Sequence, residues 1–599
     1  MSSDVENNRQ IKLETELNLS KDFLPPGFDQ WKTLVEKSLK GAPFEEKLVT
    51  QTYEGINLQP IYTKKDIQNL PHLEQKPGFK DFVRGTKING YIKEPWEICQ
   101  EINTPFANQF NEALTFDLLR GQTGINLVLD LAGQKGLDSD AALTGETGKG
   151  GLAVSTLEDF STALAGIDME KYPLHIIPGY SNLEMLMMLT AFLKQAGKDI
   201  DELKGSIDAD PLGFMAVHGG LPVPMEKVFA GMAQAVKWTV QYAPHLKTIG
   251  VCGLPYHNAG ADAVQELAYM LAAAVQYIEG LTGSDQTLTV DDIAGSMRFT
   301  FGIGPFYFME IAKIRAARML WAKIIQAWGG SNDSQKMTIH ARTSTYNQTL
   351  YDPYVNMLRT TTEAFSAVAA GVDSLHTNAF NEVFSGGSDE FSRRVARNTQ
   401  IILREECGLN RSIDPAGSYY LEKLTAEVAQ KAWEKFQEIE AKGGMFKTLQ
   451  EGFPQKEIET VAEKRREDIK QGKSLMVGTN FSVNEKEEKP SVSSPDYEEI
   501  LKVRDHYLKE YRNSRSTEQK KKIEKKQSQL KNLSASGTGD IIGAGAEAFL
   551  SGATLGEITA AMGPPDEEGK LKPPIKIKPL KLHRAAEMVE TSRDEGVLS

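Results

Sequence analysis

The run GINLVLDL, residues 124–131, decides the fold class of this chain. It is a short stretch rich in Ile, Leu and Val that starts at a glycine, which is typical of a buried β-strand. Six further stretches share this character: LHIIPG (174–179), GSIDAD (205–210), TIGVCG (248–253), MRFTFGIG (297–304), KMTIHART (336–343) and GVDSLHTN (371–378). The sequence therefore predicts seven buried strands.

Segments with a helical period separate these strands, such as NLEMLMMLTAFLKQAG (182–197) and AVQELAYMLAAAVQYIEGL (263–281). Strands that alternate with helices favour a parallel sheet with crossover helices. With an eighth strand predicted at NTQIILREE (398–406), the prediction is a closed (β/α)8 TIM barrel. An open, doubly wound sheet is the alternative.

The barrel is predicted over residues 115–475. Before it, residues 1–114 are predicted to form an extended arm with a helix in FDQWKTLVEKSLKG (28–41). Residues 476–496 form a polar linker rich in Ser, Pro and charge. A C-terminal helical region, residues 497–599, is predicted to hold a long charged helix (497–533) and a Gly/Ala-rich helix (538–562).

The composition excludes several classes of protein. The net charge of -13 repels polyphosphate, which argues against binding to nucleic acid or to an anionic membrane. The three cysteines have no C-x-x-C spacing, so neither a disulfide framework nor a zinc site is indicated, and no other metal site is predicted. The N-terminus has no apolar leader and no stretch of 18 apolar residues occurs, so a cytoplasmic location is expected.

Three long stretches resemble one known family: residues 124–160, 339–382 (with SLHTNA) and 391–425 (with ARNTQ and DPAGSYY). They are similar to the barrel region of methylmalonyl-CoA mutase, the cobalamin-dependent carbon-skeleton isomerase. The resemblance implies a (β/α)8 barrel with CoA threaded along its axis and adenosylcobalamin over the strand carboxyl ends.

The resemblance also implies a flavodoxin-like cobalamin domain with a D-x-H-x-x-G motif, whose histidine binds cobalt. None of the nine histidines of this chain stands in such a motif. The sequence therefore predicts that the cobalamin-binding domain is absent and that adenosylcobalamin is bound mainly by a partner subunit.

The family's catalytic tyrosine follows an arm of the form RG…YTFRPWTIRQY. This chain has RGTKINGYIKEPWEICQE at 84–101, which places Glu101 at the tyrosine. Glu94 and Cys99 stand at arginines that resemble the family's clamps on the CoA phosphates. An acidic residue inverts the local field, so CoA is not expected to bind in the family's way.

Two more catalytic positions differ. His218 stands where the family places the arginine for the substrate carboxylate, and imidazole cannot make the bidentate contact of a guanidinium. In CGLPYHNAGA (252–261), Pro255 takes the position of the catalytic histidine, so the thioester carbonyl loses a donor worth about 100-fold to 1000-fold in rate. His257 falls where the family has glutamine, and we expect it to be a bystander.

Other positions keep the family pattern and are candidates for facing substrate or cofactor. In SLHTNAFNE these are His376, Asn378 and Glu382. In HARTSTYNQT, Arg342 and Tyr346 stand where glutamine and tryptophan are usual. For His376 and Asn378 the alternative is a purely structural role, in hydrogen bonds that close the strand ends.

The leading hypothesis is a small, non-catalytic subunit of heterodimeric methylmalonyl-CoA mutase that supports a large catalytic subunit. One alternative is the barrel subunit of a split cobalamin-dependent acyl-CoA mutase whose cobalamin domain is a separate chain. Another is an acyl-CoA-binding or scaffold protein without mutase activity.

Overall fold

The computed structural model describes residues 18–385, 389–484, 486–487, 495–563 and 575–594, and the chain divides into two units after Tyr62. The first unit holds the helices Leu19–Asp22, Phe28–Ser38 and Phe44–Leu48 and an antiparallel pair of short strands, Thr50–Gln51 with Asn57–Leu58. The helix predicted over 28–41 is confirmed as Phe28–Ser38.

Nine parallel strands organise the second unit. They are β1 (Glu97–Ile98), β2 (Ile125–Val128), β3 (Leu174–Ile177), β4 (Gly205–Ile207), β5 (Leu246–Lys247), β6 (Ile249–Cys252), β7 (Met297–Ile303), β8 (Ile339–Thr343) and β9 (Ser374–His376). They pair in two sheets, with the orders β1-β9-β8-β7-β6 and β2-β3-β4-β5. All seven strands predicted from the sequence are present. The fold class is mixed α/β with parallel sheets, and closure into one barrel stays a prediction.

Helices connect the strands, as the alternating pattern predicted. Those between successive strands include Ala107–Leu118, Leu131–Gln134, Leu157–Ala163, Asn182–Ala196, Pro211–His218, Met225–Tyr242, Leu254–His257, Ala263–Ser284, Val290–Gly295, Tyr307–Ala327 and Val355–Ala370. After β9 come Glu382–Ser385, Glu390–Glu405, Tyr419–Ala441, Gly444–Glu451 and Phe453–Lys470, and before β1 lies Lys64–Ile67. None of the helices in the described part of the chain is long and apolar enough to cross a membrane.

The eighth strand predicted at residues 398–406 is wrong. This stretch lies in the helix Glu390–Glu405, whose N-terminus is capped by Asp389. Its buried residues Ala396, Gln400 and Leu403 recur at helical spacing and form the packed face, whereas Ile402 of the apolar run is exposed. Two parallel strands lie outside the predicted seven, each only two residues long: β1, which pairs with β9, and β5, which pairs with β4.

Two C-terminal helices predicted as continuous are each broken by a capping motif. Residues 497–533 form Tyr497–Asn513 and Thr517–Ser536, because Ser516 and Gln519 make a capping box that starts a new helix. Residues 538–562 form Ile541–Leu550 and Leu555–Met562, with the capping box at Thr554. A last helix, Glu587–Asp594, follows the short strand Ile575–Lys576, which pairs antiparallel with Gly220–Leu221.

The predicted boundaries at 114, 475 and 496 stay predictions. Several stretches of the predicted regions lie outside the described residues, namely 1–17 of the arm, 485 and 488–494 of the linker, and 564–574 and 595–599 of the C-terminal region.

A buried network of charges joins the helix Tyr307–Ala327 to the later helices. Arg315 donates to both carboxylate oxygens of Glu422, at 2.9 and 2.8 Å, and to Asp414. Arg84 donates to Asp414, and His72 shares a hydrogen bond of 2.9 Å with Glu422. Burial opposes ionisation of Glu422, but His72 and Arg315 outweigh it and lower its pKa to about 2. The network fixes Asp414, the first residue of the DPAGSYY segment, against the helix Tyr307–Ala327.

We expect the substitution Arg315→Met to destabilise the fold by about 3–5 kcal/mol, because it removes the more deeply buried of the two arginines that pair with Asp414 and Glu422. Urea unfolding followed by circular dichroism measures the loss. Lys336→Met is the control, since Lys336 pairs with Asp333 on the surface and removing that pair costs less than about 1 kcal/mol. Equal losses from the two variants would contradict a structural role for the network.

Candidate functional site

Three neighbouring strands bring Glu101, Arg342 and His376 together. Arg342 on β8 lies in register with His376 on β9, and β9 pairs with β1, which Glu101 follows. These residues are far apart along the chain, but the carboxyl ends of parallel strands meet at one edge of a sheet. The strand order therefore creates the site.

Arg342 and Glu101 form a bidentate ion pair. The Arg342 Nε atom donates to Glu101 Oε1 at 3.0 Å and the Nη2 atom donates to Oε2 at 2.9 Å. The exposed fractions of the side chains are 12% for Arg342 and 20% for Glu101, so water screens the pair little. Burial alone would raise the pKa of Glu101, but the guanidinium lowers it to about 2. Glu101 is therefore ionised, and both of its carboxylate oxygens accept hydrogen bonds from Arg342.

His376 is held as a neutral imidazole. Its Nδ1 atom accepts the backbone N–H of Glu101 at 3.0 Å, so that nitrogen carries no proton. Its Nε2 atom lies 3.1 Å from Asn378 Oδ1, and the Asn378 amide donates through Nδ2 to the Thr343 carbonyl at 2.7 Å, which fixes Oδ1 as the acceptor. Burial lowers the pKa of His376 to about 4.

Glu382 lies on the far side of the guanidinium, with Oε1 3.7 Å from Arg342 Nη2. Burial raises the pKa of this carboxyl, although Arg342 opposes the rise. Arg342, Glu101, His376, Asn378 and Glu382 thus form one connected group, and each of them was named as a candidate from the sequence.

His257 belongs to a different cluster. Its ring is buried, with Nδ1 3.2 Å from Glu266 and Nε2 2.9 Å from Ser344 Oγ. Glu266 in turn pairs with Lys313 at 2.6 Å, and a Cβ atom on Gly302 would meet the His257 ring at 2.4 Å. The ring is therefore wedged between a buried ion pair and a strand, in keeping with the expected bystander role.

The other three sequence candidates lie apart from the Arg342 group. The Tyr346 ring packs in an apolar cluster with Ile469, Ala585 and Val589. Pro255 stands in the first turn of the helix Leu254–His257. His218 ends the helix Pro211–His218, where its ring is exposed and lies 4.4 Å from the ring of Phe214.

Sequence reasoning missed a second charged pair between the strands. Arg298 on β7 donates to Asp208, which follows β4, and through Nη2 to Ser374 Oγ of β9 at 2.9 Å. The side chain is only 2% exposed. The sequence could have indicated this pair, because Arg298 lies inside a run that has the pattern of a fully buried strand. A charged residue in such a strand needs a buried partner.

Two further histidine rings, those of His340 and His175, are buried among the same parallel strands. His340 on β8 bonds Ser374 Oγ at 2.8 Å, and burial lowers its pKa well below the usual range. His175 on β3 lies 2.9 Å from Glu97 on β1 and 2.8 Å from Ser206 on β4. The His175–Glu97 contact therefore joins β3 and β1, two strands that do not pair with each other.

A sequence profile described as methylmalonyl-CoA mutase matches residues 51–566. The chain is 36% identical to the methylmalonyl-CoA mutase of Rhizobium meliloti over 89% of this chain and 74% of the relative. Identity is 35% to the mitochondrial enzyme of Bos taurus, over 90% of this chain and 71% of the relative. For the Escherichia coli enzyme it is 34%, over 89% and 74%.

The chain belongs to the methylmalonyl-CoA mutase family. Its curated relatives are isomerases, and a large part of each relative is covered.

The adenosylcobalamin that the family resemblance implies would need an imidazole to bind its cobalt. The histidines of the site do not fit that role, because both ring nitrogens of His257 and of His376 already have hydrogen-bond partners. The described residues also contain no group of three His, Cys, Asp or Glu side chains placed to hold a metal ion. No reaction step of this chain can therefore be derived through the cofactor.

We expect the Arg342–Glu101 pair to show strong coupling in a double-mutant cycle. Arg342→Gln and Glu101→Gln should each cost about 3 kcal/mol, because either change removes the main ion-pair partner of a buried charge, whereas the double variant should cost far less than the sum. Urea unfolding of the four proteins gives the coupling energy. Additive losses would show that the two side chains do not depend on each other.

We expect acid to destabilise the fold through His376. Its pKa falls from 6.5 to about 4 on folding, so between those values the unfolded chain binds a proton that the folded chain does not. Stability should be full above pH 6.5 and decrease by up to about 3 kcal/mol as the pH falls to 4. His376→Gln, which keeps a donor and an acceptor, should flatten this slope, and the exposed His506→Gln should not. The measurement is the urea midpoint against pH, and parallel slopes for both variants would refute the assignment.

Proposed function

We propose that this chain is a non-catalytic, small-subunit-type member of the methylmalonyl-CoA mutase family, located in the cytoplasm. It supports a large catalytic subunit in a heterodimer, and the large subunit carries adenosylcobalamin. The heterodimer interconverts methylmalonyl-CoA and succinyl-CoA.

The Arg342–Glu101 ion pair carries this proposal. Catalytic members of the family bring a tyrosine to the position of Glu101 and a glutamine to that of Arg342. Here the two replacements satisfy each other through two charge-assisted hydrogen bonds. A guanidinium locked in this way cannot bind a substrate anion, and a carboxylate cannot take the place of the aromatic ring beside an adenosyl group.

Two further positions support the same proposal. Pro255 has no N–H to donate to a thioester carbonyl, and its ring lies in the first turn of a short helix. The neighbouring His257 is committed to Glu266 and Ser344, so it does not replace the missing donor. His218 is exposed and offers no fixed, permanently charged fork for a carboxylate.

Binding of acyl-CoA is not part of the proposal. Cys99 is fully buried, and burial raises the pKa of its thiol, so it supplies no positive charge where the family has a phosphate-binding arginine. Glu94 is exposed and acidic at the second such position. Both replacements disfavour the CoA phosphates.

We also propose that the two parallel sheets close into one (β/α)8 barrel. At one junction, Glu101 after β1 forms a parallel bridge with Asn126 of β2. At the other, β5 and β6 are separated by Thr248 alone, and Gly250 N–H donates to the Ala209 carbonyl after β4 at 3.0 Å. With β5 and β6 as one strand, the paired strands give the eight of the predicted barrel.

An activity assay tests the proposal. The purified chain with adenosylcobalamin and methylmalonyl-CoA should form no succinyl-CoA, with or without a separate cobalamin-domain protein, because its pocket lacks the required donors and cation. The Rhizobium meliloti mutase under the same conditions is the positive control. Affinity capture of the chain from its native lysate should recover a longer mutase chain that contains cobalamin.

The outcomes separate the alternatives. Turnover with a separate cobalamin-domain protein would overturn the proposal in favour of a split mutase. Capture without any cobalamin-containing chain would favour a scaffold or binding protein.

A further inference from the structure

A cavity of about 160 Å³ lies between the barrel helices and the C-terminal helices, away from the Arg342 group. The helices Asn182–Ala196 and Met225–Tyr242 form one side, and residues of the helices Thr517–Ser536 and Leu555–Met562 form the other. Its volume is close to that of a cavity of about 150 Å³ that binds benzene in another protein. The space therefore suits a molecule with one small ring or a short alkyl chain.

Glu184 supplies a carboxyl group to this cavity. The residue is only 6% exposed, and Thr559 Oγ1 donates to its Oε1 atom at 3.2 Å. Lys227 also lines the cavity, but among the described residues no Lys, Arg or His nitrogen lies within ion-pair distance of Glu184. Burial raises its pKa to about 6, which leaves it mainly ionised at neutral pH. A buried carboxylate without a cation is costly, so a cationic ligand would be favoured here.

Asn182 supplies a second acceptor on the same helix. The residue is 3% exposed, and its Nδ2 atom donates to the Thr248 carbonyl at 2.8 Å. Its buried Oδ1 atom has no hydrogen-bond partner in the described chain. Buried polar atoms of native proteins normally have partners, so this atom is able to accept a hydrogen bond from a ligand.

We propose that this cavity binds a small primary amine with an apolar body, whose ammonium group donates to the Glu184 carboxylate and to Asn182 Oδ1. An ammonium group has three N–H donors and no acceptor, which matches a buried carboxylate that has only a hydroxyl donor and an amide oxygen that has no donor. The apolar body contacts Val223, Val228 and Ile541 on the cavity wall. Its ligand would link the C-terminal helices to the barrel helices.

Calorimetric titration of the full chain with benzylamine, benzyl alcohol and benzoate at pH 7.5 tests the proposal. Benzylamine should bind, benzyl alcohol should bind about tenfold more weakly or worse, and benzoate should not bind, because only the amine provides a charged donor. Glu184→Gln keeps the shape of the side chain and should remove the preference for the amine over the alcohol. Glu226→Gln, an exposed change on the helix Met225–Tyr242, is the matched control and should leave all three affinities unchanged.

A second variant locates the binding. Val228→Phe places a larger side chain in the cavity wall and should abolish binding of both benzylamine and benzyl alcohol. Circular dichroism confirms that each variant is folded. The proposal is overturned if the wild-type chain binds benzoate as well as benzylamine, if it binds none of the three probes, or if Val228→Phe binds benzylamine as tightly as the wild type does.

Discussion

The pairing of charges between the parallel strands is the constraint on which the site depends. A guanidinium that is buried among strands requires an anion, because its desolvation costs more than hydrogen bonds to neutral groups return. Arg342 meets this requirement with Glu101, and Arg298 meets it with Asp208 and Ser374. Each ion pair joins two strands that are far apart in the sequence, so the two charges come into contact only when the chain is folded.

This constraint accounts for the joint occurrence of the departures from the family pattern. Arginine alone at position 342 would bury a cation, and glutamate alone at position 101 would bury an anion. Together they make a bidentate pair, and the backbone N–H of Glu101 sets the tautomer of His376. A residue pair that satisfies itself no longer needs a ligand, whereas catalytic groups are usually left poised toward the substrate.

The sequence predicted the strands and helices better than it predicted the contacts between side chains. Seven strands were predictable because a short apolar run that starts at a glycine, such as GINLVLDL, is typical of a buried strand. Strand β1 has two residues and no such pattern, while the apolar run at 401–403 satisfied the strand criteria but lies in a helix that buries only Leu403 of the three. The Arg342–Glu101 contact spans 241 residues of chain, and no local pattern encodes it. The candidate residues of the site were found by comparing motifs with those of the family. Their contacts with one another could not be predicted, because these depend on the order of the strands in the sheet.

Backbone hydrogen bonds from the C-terminal residues 580–585 hold three segments that follow the parallel strands. Leu580 N–H donates to the Ala216 carbonyl, His583 N–H to Asn258 and Ala585 N–H to Tyr346. These three carbonyls belong to the segments that follow β4, β6 and β8, where His218, Pro255 and Tyr346 replace the family residues. Backbone hydrogen bonds do not depend on side-chain identity, so they position these segments whatever chemistry the side chains perform. Such contacts can therefore hold the family scaffold whichever side chains stand at these positions.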